Sequence, residues 1–427
     1  MSYIEIHGNK PLDGSIKLHG AKNSVLPILA ATLLVKGECV IKNAPHLSDV
    51  GVCIEILNHL GADCTFIDGT LIVNTKNVTR TDIPKELTAK MRSSIVFLGA
   101  LAASQGRAQV SLPGGCRIGE RPIDMHLCAL SALGYEIKVS ESYVKCLRQN
   151  ARANAVTLSF PSVGATENVI LASVLLKGRT TICNAAREPE IKDLADFLVS
   201  AGAIIHGAGS SVITIDGVNS LHSTEHKVIS DRILASTLMS AVAITGGDVL
   251  LREIDLPSVR PVLGVFKRMG AELVSGNKTL RVKFKTRPRG VELIKTNVYP
   301  GFPTDSQAPV MAALCIAKGT SVIVENIFEN RMMHAKELLR FGADIVSDNK
   351  TALVYGKPEL HGADAYCTDL RGGAAVVIAG LGAKGVSRIY NINHIDRGYE
   401  KLENQLAALG ADIRRIENEK ENQPKTE

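Results

Sequence analysis

Tryptophan is absent from this 427-residue chain, and aromatic residues make up only 4% of it. Proteins that hold single-stranded nucleic acid lean on aromatic stacking platforms. Those are poorly supplied here, so no nucleic-acid surface is expected. No apolar run reaches the roughly 18 to 20 residues that span a bilayer, so no membrane segment is expected either. The opening residues, Met1-Ser2-Tyr3-Ile4-Glu5-Ile6, lack a basic segment followed by an apolar one, so no secretory signal is expected. Nine cysteines are scattered without a CxxC pair or Cys/His ligand spacing. An odd, unpatterned set argues against a disulfide framework or a zinc site and suggests a reducing, cytoplasmic location. The net charge of +6 is mild and spread along the chain. It suits small anionic ligands better than a nucleic-acid surface.

What is present is a repeat. The length implies two or more domains, and apolar and charged fractions of 45% and 22% are those of a soluble globular protein. Two series of glycines punctuate the chain. One falls at Gly37, Gly106, Gly178, Gly246-Gly247, Gly319 and Gly385. The other falls at Gly61, Gly134, Gly202, Gly270, Gly342 and Gly410, at near-constant intervals. A glycine closing a helix in the left-handed conformation accounts for each. The spacing predicts six small βαβ-type units, each too small to bury its own apolar face. Six units suggest two halves of three, with a polar linker near residues 217–230. The domains expected are 21–229 for the first half and 1–20 with 230–413 for the second. The charged stretch 414–427 is expected to be a frayed tail.

One position recurs at a fixed distance before the first glycine of each unit. Its occupants are Asn23, Arg92, Gly164, Ile233, Asp305 and Arg371. Five of these are polar or glycine at the start of an otherwise apolar helix. In the fourth unit Asp231 and Arg232 precede, as if the phase had slipped. Helix N-termini offer free N–H groups and a positive dipole end to anions. Asn23, Thr304 or Asp305 could serve simply as helix caps, but arginine is not a capping residue. A shared ligand-facing rim is therefore expected, with Lys22 beside it and further arginines suited to a multiply charged anion. The loop Leu112-Pro113-Gly114-Gly115-Cys116-Arg117-Ile118-Gly119-Glu120-Arg121-Pro122 adds a thiol whose ionised form Arg117 and Arg121 would favour.

Gly20-Ala21-Lys22-Asn23, Pro113-Gly114-Gly115-Cys116, Arg121-Pro122-Ile123-Asp124, Gly301-Phe302-Pro303-Thr304-Asp305, Phe328-Glu329-Asn330-Arg331, Asp369-Leu370-Arg371 and Asp396-Arg397-Gly398-Tyr399 stand in this order. They resemble the signature segments of the UDP-N-acetylglucosamine 1-carboxyvinyltransferase family of enolpyruvyl transferases. The likeness runs from about residue 4 to 413; Ser306 and Gly372-Gly373 depart from the pattern only beside the motifs. It implies an α/β fold of two inside-out barrels, three repeats each, with the active site between them. It also implies that the N-terminal segment 1–20 packs on the second domain.

The implied reaction moves the enolpyruvyl group of phosphoenolpyruvate to the 3′-hydroxyl of UDP-N-acetylglucosamine and releases phosphate, the first committed step of peptidoglycan synthesis. The resemblance makes Cys116 the acid, able to bond covalently to phosphoenolpyruvate or to fosfomycin, and Asp305 the base. Lys22, Asn23, Arg121, Asp369, Arg371 and Arg397 would receive phosphoenolpyruvate. Asn23, Arg92, Arg121, Pro122, Ile123, Asp124, Met125, Ser162, Val163, Gly164, Asp305, Ile327 and Arg331 would receive the nucleotide sugar. No metal or other cofactor is expected, and the oligomeric state is not given by the sequence. The alternatives are the sister enzyme acting on shikimate 3-phosphate, an inactive nucleotide-sugar-binding repeat protein, and a thiol hydrolase built on Cys116 with His126 nearby.

Overall fold

In the fifth unit the strand Leu293–Lys295 leads into the helix Thr304–Leu314, which returns to the strand Thr320–Val324, parallel to the first. The helix His334–Leu339 follows, then the hairpin Asp344–Ser347 and Thr351–Tyr355, whose second strand pairs antiparallel with Thr320–Val324. The unit is thus β-α-β-α-β-β, a parallel crossover with a hairpin added. Six four-stranded sheets repeat this order within a mixed α/β fold. The structure, a computed structural model, describes residues 2–112 and 123–417.

Both glycine series take positive φ, but in the first only Gly106 and Gly246 close helices, while Gly37, Gly178, Gly319 and Gly385 sit in bends just before a strand. All six of the second series take φ between 78° and 102°, and those of the first series are also left-handed. Gly61 and Gly270 follow helices directly, as C-terminal caps.

The first helix of each unit is buried on all sides. In Leu370–Gly382 every residue from Arg371 to Leu381 is buried, and in Thr304–Leu314 every residue from Ser306 on. A helix apolar all round belongs in an interior. The sheets lie outside, and their alternating burial, as in Thr320–Val324, marks one face to the core and one to water. Small residues let the inner helices approach closely: a Cβ added at Gly99 would lie 2.6 Å from Asn168 Oδ1.

Two hydrophobic cores result. One runs from Val25 to Val228; the other takes Ile4 to Leu18 and Leu234 to Ile413. Strand exchange closes each group of three units. Thr224–Lys227 lies parallel to Glu38–Lys42 and supplies the first unit's opening strand. Leu12–Lys17 does the same for the fourth unit, beside Gly247–Arg252. Tyr3–His7 completes the sixth unit's sheet between Val386–Tyr390 and Asp412–Ile416. The chain crosses between cores at Gly20 and Ser230, which form an antiparallel bridge.

Two details differ from the sequence reading. The polar stretch before residue 230 contains a strand rather than only a linker, because an edge strand with one wet face tolerates polar side chains. The residues from 414 do not all fray: Arg414, Arg415 and Ile416 belong to a strand. Arg414 is anchored to Glu5 at 2.6 Å, and Arg415 to Asp396 at 2.6 Å and Glu403 at 2.7 Å. Residues 418–427 lie outside the described residues.

Candidate active site

The six inner-helix starts converge on one cleft of about 650 Å³ between the two cores. Lys22 and Asn23, Arg92, Ser162 to Gly164, Arg232 and Ile233, Thr304 and Asp305, and Leu370 and Arg371 all line it. Six positive helix ends face one volume, an arrangement that favours negative charge there. In the fourth unit the charged lining residue is Arg232, the residue just before Ile233.

Capping accounts for only some rim residues. Asp231 Oδ1 accepts the N–H groups of Ile233 and Leu234 at 2.7 and 2.9 Å. Asp369 Oδ1 accepts those of Arg371 and Gly372 at 2.9 and 3.2 Å. Ser162 caps the third inner helix. Asp305 is no cap: the N-cap of its helix is Pro303. Its carboxylate instead receives Arg331 and Arg371, each at 2.8 Å. Burial alone would raise the Asp305 carboxyl, but Arg371, Arg331 and Lys22 outweigh it and hold the group well below the usual carboxylate range.

A second carboxylate, Asp49, has the same arrangement. It lies in the first turn of Ser48–Leu60, 2.7 Å from Lys22 Nζ and 3.0 Å from Arg397 Nε. Burial pushes the Asp49 carboxyl up, and the two cations more than reverse that. For Lys22 the balance goes the other way: burial lowers it more than Asp49 raises it.

A third region is acidic. Glu190 pairs with Arg232 at 2.9 Å, Arg232 lies over the Tyr299 ring, and Glu188 accepts the Tyr299 N–H at 3.3 Å. Burial pushes both Glu167 and Glu188 up, and neighbouring acids add to it. His126 accepts from Asn168 Nδ2 at 2.7 Å, and burial, with Arg92 nearby, brings it down to about 4.

Of the expected site residues, Lys22, Asn23, Arg92, Met125, Ser162, Val163, Gly164, Asp305, Ile327, Arg331, Asp369, Arg371 and Arg397 line the cleft together. Asp124 faces a neighbouring hollow with Met125 and Cys128, and Ile123 packs on the first core. Cys116, Arg121 and Pro122 lie outside the described residues, as does Arg117. Sequence reasoning missed Asp49, Glu167, Glu188 and Glu190. Asp49 and Glu190 sit in first turns, where an acid reads as a dipole partner; Arg232 had been signalled by the phase slip. Among the described residues no cluster of His, Cys, Asp and Glu could hold a metal ion, and no helix is long and apolar enough to cross a membrane.

The fold is shared with enolpyruvyl transferases. The family model for EPSP synthase (3-phosphoshikimate 1-carboxyvinyltransferase) matches residues 6–406. The enolpyruvyl transferase NikO from Streptomyces tendae superposes with a TM-score of 0.87 at 25% identity, over 97% of this chain and 98% of that one. EPSP synthase from Acinetobacter baumannii, at 17% identity and a TM-score of 0.75 over 98% of this chain and 100% of that one, shares the fold. Narrower relatives follow. UDP-N-acetylglucosamine 1-carboxyvinyltransferase 2 of Caldanaerobacter subterraneus subsp. tengcongensis is 47% identical over 416 residues, covering 97% of this chain and 100% of the relative. The Geobacter metallireducens UDP-N-acetylglucosamine 1-carboxyvinyltransferase is 44% identical over the same length and the same shares. The chain belongs to the UDP-N-acetylglucosamine 1-carboxyvinyltransferase family.

Proposed function

We propose that this chain transfers the enolpyruvyl group of phosphoenolpyruvate to the 3′-hydroxyl of UDP-N-acetylglucosamine, releasing phosphate and committing the sugar to peptidoglycan synthesis. The observation that carries the reading is the convergence of six helix N-termini, Lys22, Asp305 and five arginines on one cleft, in a chain nearly half identical to named carboxyvinyltransferases. Two anionic substrates need that concentration of positive charge.

The chemistry divides between two proton-transfer groups. Cys116, assigned by resemblance, gives a proton to the methylene carbon of phosphoenolpyruvate. The 3′-oxygen bonds to the adjacent cationic carbon as Asp305 takes the hydroxyl proton. The methyl carbon then returns its proton to the Cys116 thiolate. The carbon–oxygen bond to phosphate breaks, and phosphate leaves with the proton from Asp305. Lys22, Arg121, Arg371 and Arg397 receive phosphoenolpyruvate, with Asn23 and Asp369 beside them. Arg92, Ser162 to Gly164, Ile327 and Arg331 receive the nucleotide sugar, along with Asn23, Asp305 and residues 121–125. Asp305 between two arginines is a weak base. A phosphoenolpyruvate anion that draws Arg371 toward itself strengthens that base only when both substrates are present.

The two cores support domains of residues 21–229 and of 1–20 with 230–413, each an inside-out α/β barrel of three units. A cytoplasmic location is supported by the eight described cysteines, all unpaired. The test is phosphate release. It should require phosphoenolpyruvate and UDP-N-acetylglucosamine together. Release with shikimate 3-phosphate in place of the nucleotide sugar would point to the sister activity.

A further inference from the structure

Asp49 is 2% exposed, yet no step above uses it. Its carboxylate holds Lys22 Nζ at 2.7 Å and the Arg397 guanidinium at 3.0 and 3.4 Å. Asp49 and Lys22 belong to the first core. Arg397 ends the 3-10 helix Ile392–Arg397, which packs with the second. One carboxylate therefore ties two cations from opposite sides of the cleft to a common point.

We propose that Asp49 is the positioning residue of the phosphoenolpyruvate site, holding Lys22 and Arg397 together across the cleft so that they meet the substrate as one dicationic cradle. The inference rests on the reading that these two cations receive phosphoenolpyruvate. The charged groups facing Lys22 come from four elements. Asp49 belongs to Ser48–Leu60, Arg371 to Leu370–Gly382, Arg397 to Ile392–Arg397 and Asp305 to Thr304–Leu314. Asp231 accepts the Lys22 backbone N–H at 3.3 Å, and the nearby Cys53 thiol is pushed up by burial, so it stays neutral. Among the described residues Asp49 alone has its carboxylate against the Lys22 ammonium, while two of the neighbours are arginines that disfavour its charge. An amine so buried, beside two guanidiniums, gives up its proton readily once its counter-charge is gone. Arg397 would keep its charge but lose its anchor on the opposite core. Misplacing a binding group by about 1 Å can cost on the order of 10²-fold in rate.

The test is Asp49→Asn, which keeps shape and removes charge, assayed at saturating UDP-N-acetylglucosamine. The expected result is a fall in kcat/KM for phosphoenolpyruvate of roughly 10- to 100-fold, with KM for the nucleotide sugar changing much less. The alkaline limb of the kcat/KM profile should also move to lower pH by about one unit or more, since Lys22 loses its counter-charge. In Lys22→Arg/Asp49→Asn that displacement should vanish, because a guanidinium does not deprotonate in this range. If Asp49→Asn fails to fold, Asp49→Glu carries the test. It keeps the charge, so the alkaline limb should stay in place while affinity for phosphoenolpyruvate falls. A soluble Asp49→Asn with wild-type phosphoenolpyruvate kinetics and an unmoved limb overturns the proposal, as would a moved limb in Asp49→Glu. Lys22→Gln with normal phosphoenolpyruvate kinetics would instead overturn the underlying assignment of Lys22.

Discussion

Asp305→Asn separates chemistry from architecture at this site. Asparagine caps a helix about as well as aspartate, so a capping role would make the change silent. The structure removes that expectation, because the Asp305 carboxylate serves Arg331 and Arg371, whose side chains are only 4% and 2% exposed. Removing one partner of a buried pair costs about 3 to 5 kcal/mol. The Asp305 side chain is 25% exposed, and its amide still accepts one hydrogen bond, so about 2 to 3 kcal/mol is expected. For a unit of some 200 residues that lowers Tm by roughly 4 to 12 °C.

The pH dependence has a definite sign. The folded carboxyl titrates below its unfolded value of about 3.9. Its contribution is therefore complete above that value and is lost as pH falls toward the folded one. The Tm gap between wild type and mutant should be full at neutral pH and narrow in acid below pH 4. Turnover measured well below either Tm, at saturating substrates, should fall by roughly 10² to 10⁴ through loss of the base. Arg331→Gln breaks the same ion pair from the other side and leaves the base in place. It should cost similar stability and chiefly raise KM for the nucleotide sugar. Near-normal turnover in Asp305→Asn, or turnover in Arg331→Gln as low as in Asp305→Asn, would refute the assignment.

Three further outcomes are expected. An epoxide phosphonate resembling phosphoenolpyruvate should add one equivalent at Cys116. Burial pushes Cys39, Cys64, Cys146 and Cys315 up to about 12, and peptide mapping that found the adduct at exposed Cys128 would overturn this. UDP-N-acetylglucosamine should draw the two cores together around the cleft, seen as a smaller radius of gyration in small-angle scattering; an unchanged radius at saturation would exclude closure. Gly99→Ala should destabilise the first core by about 1 to 3 kcal/mol, because the new methyl would meet the Asn168 side chain at 2.6 Å and its backbone at 2.7 Å. A chemical-denaturation midpoint equal to wild type would show that the two inner helices can part without cost.

The six-unit organisation was legible because its cause is local. A chain often leaves a helix through a left-handed residue, and glycine takes that conformation most readily, so the second glycine series recorded where helices stop before any packing was known. The rim was legible for a related reason: an inner helix buried on every side carries its charged, ligand-facing residues mostly at its start. Strand exchange was not legible in the residues themselves; the family resemblance alone implied that segment 1–20 joins the second domain. Nothing in Thr224-Glu225-His226-Lys227 names Glu38–Lys42 as its neighbour, and the pairing of Tyr3–His7 with a strand at the far end of the chain depends on how three units close upon themselves. The surroundings of Asp49 and Asp305 were likewise decided by tertiary structure. Each acid stands where the sequence permits a helix cap or a dipole partner. Only the approach of Lys22 with Arg397, and of Arg331 with Arg371, makes the carboxylates ion hubs, because charge interactions depend on distance through space and not on separation along the chain.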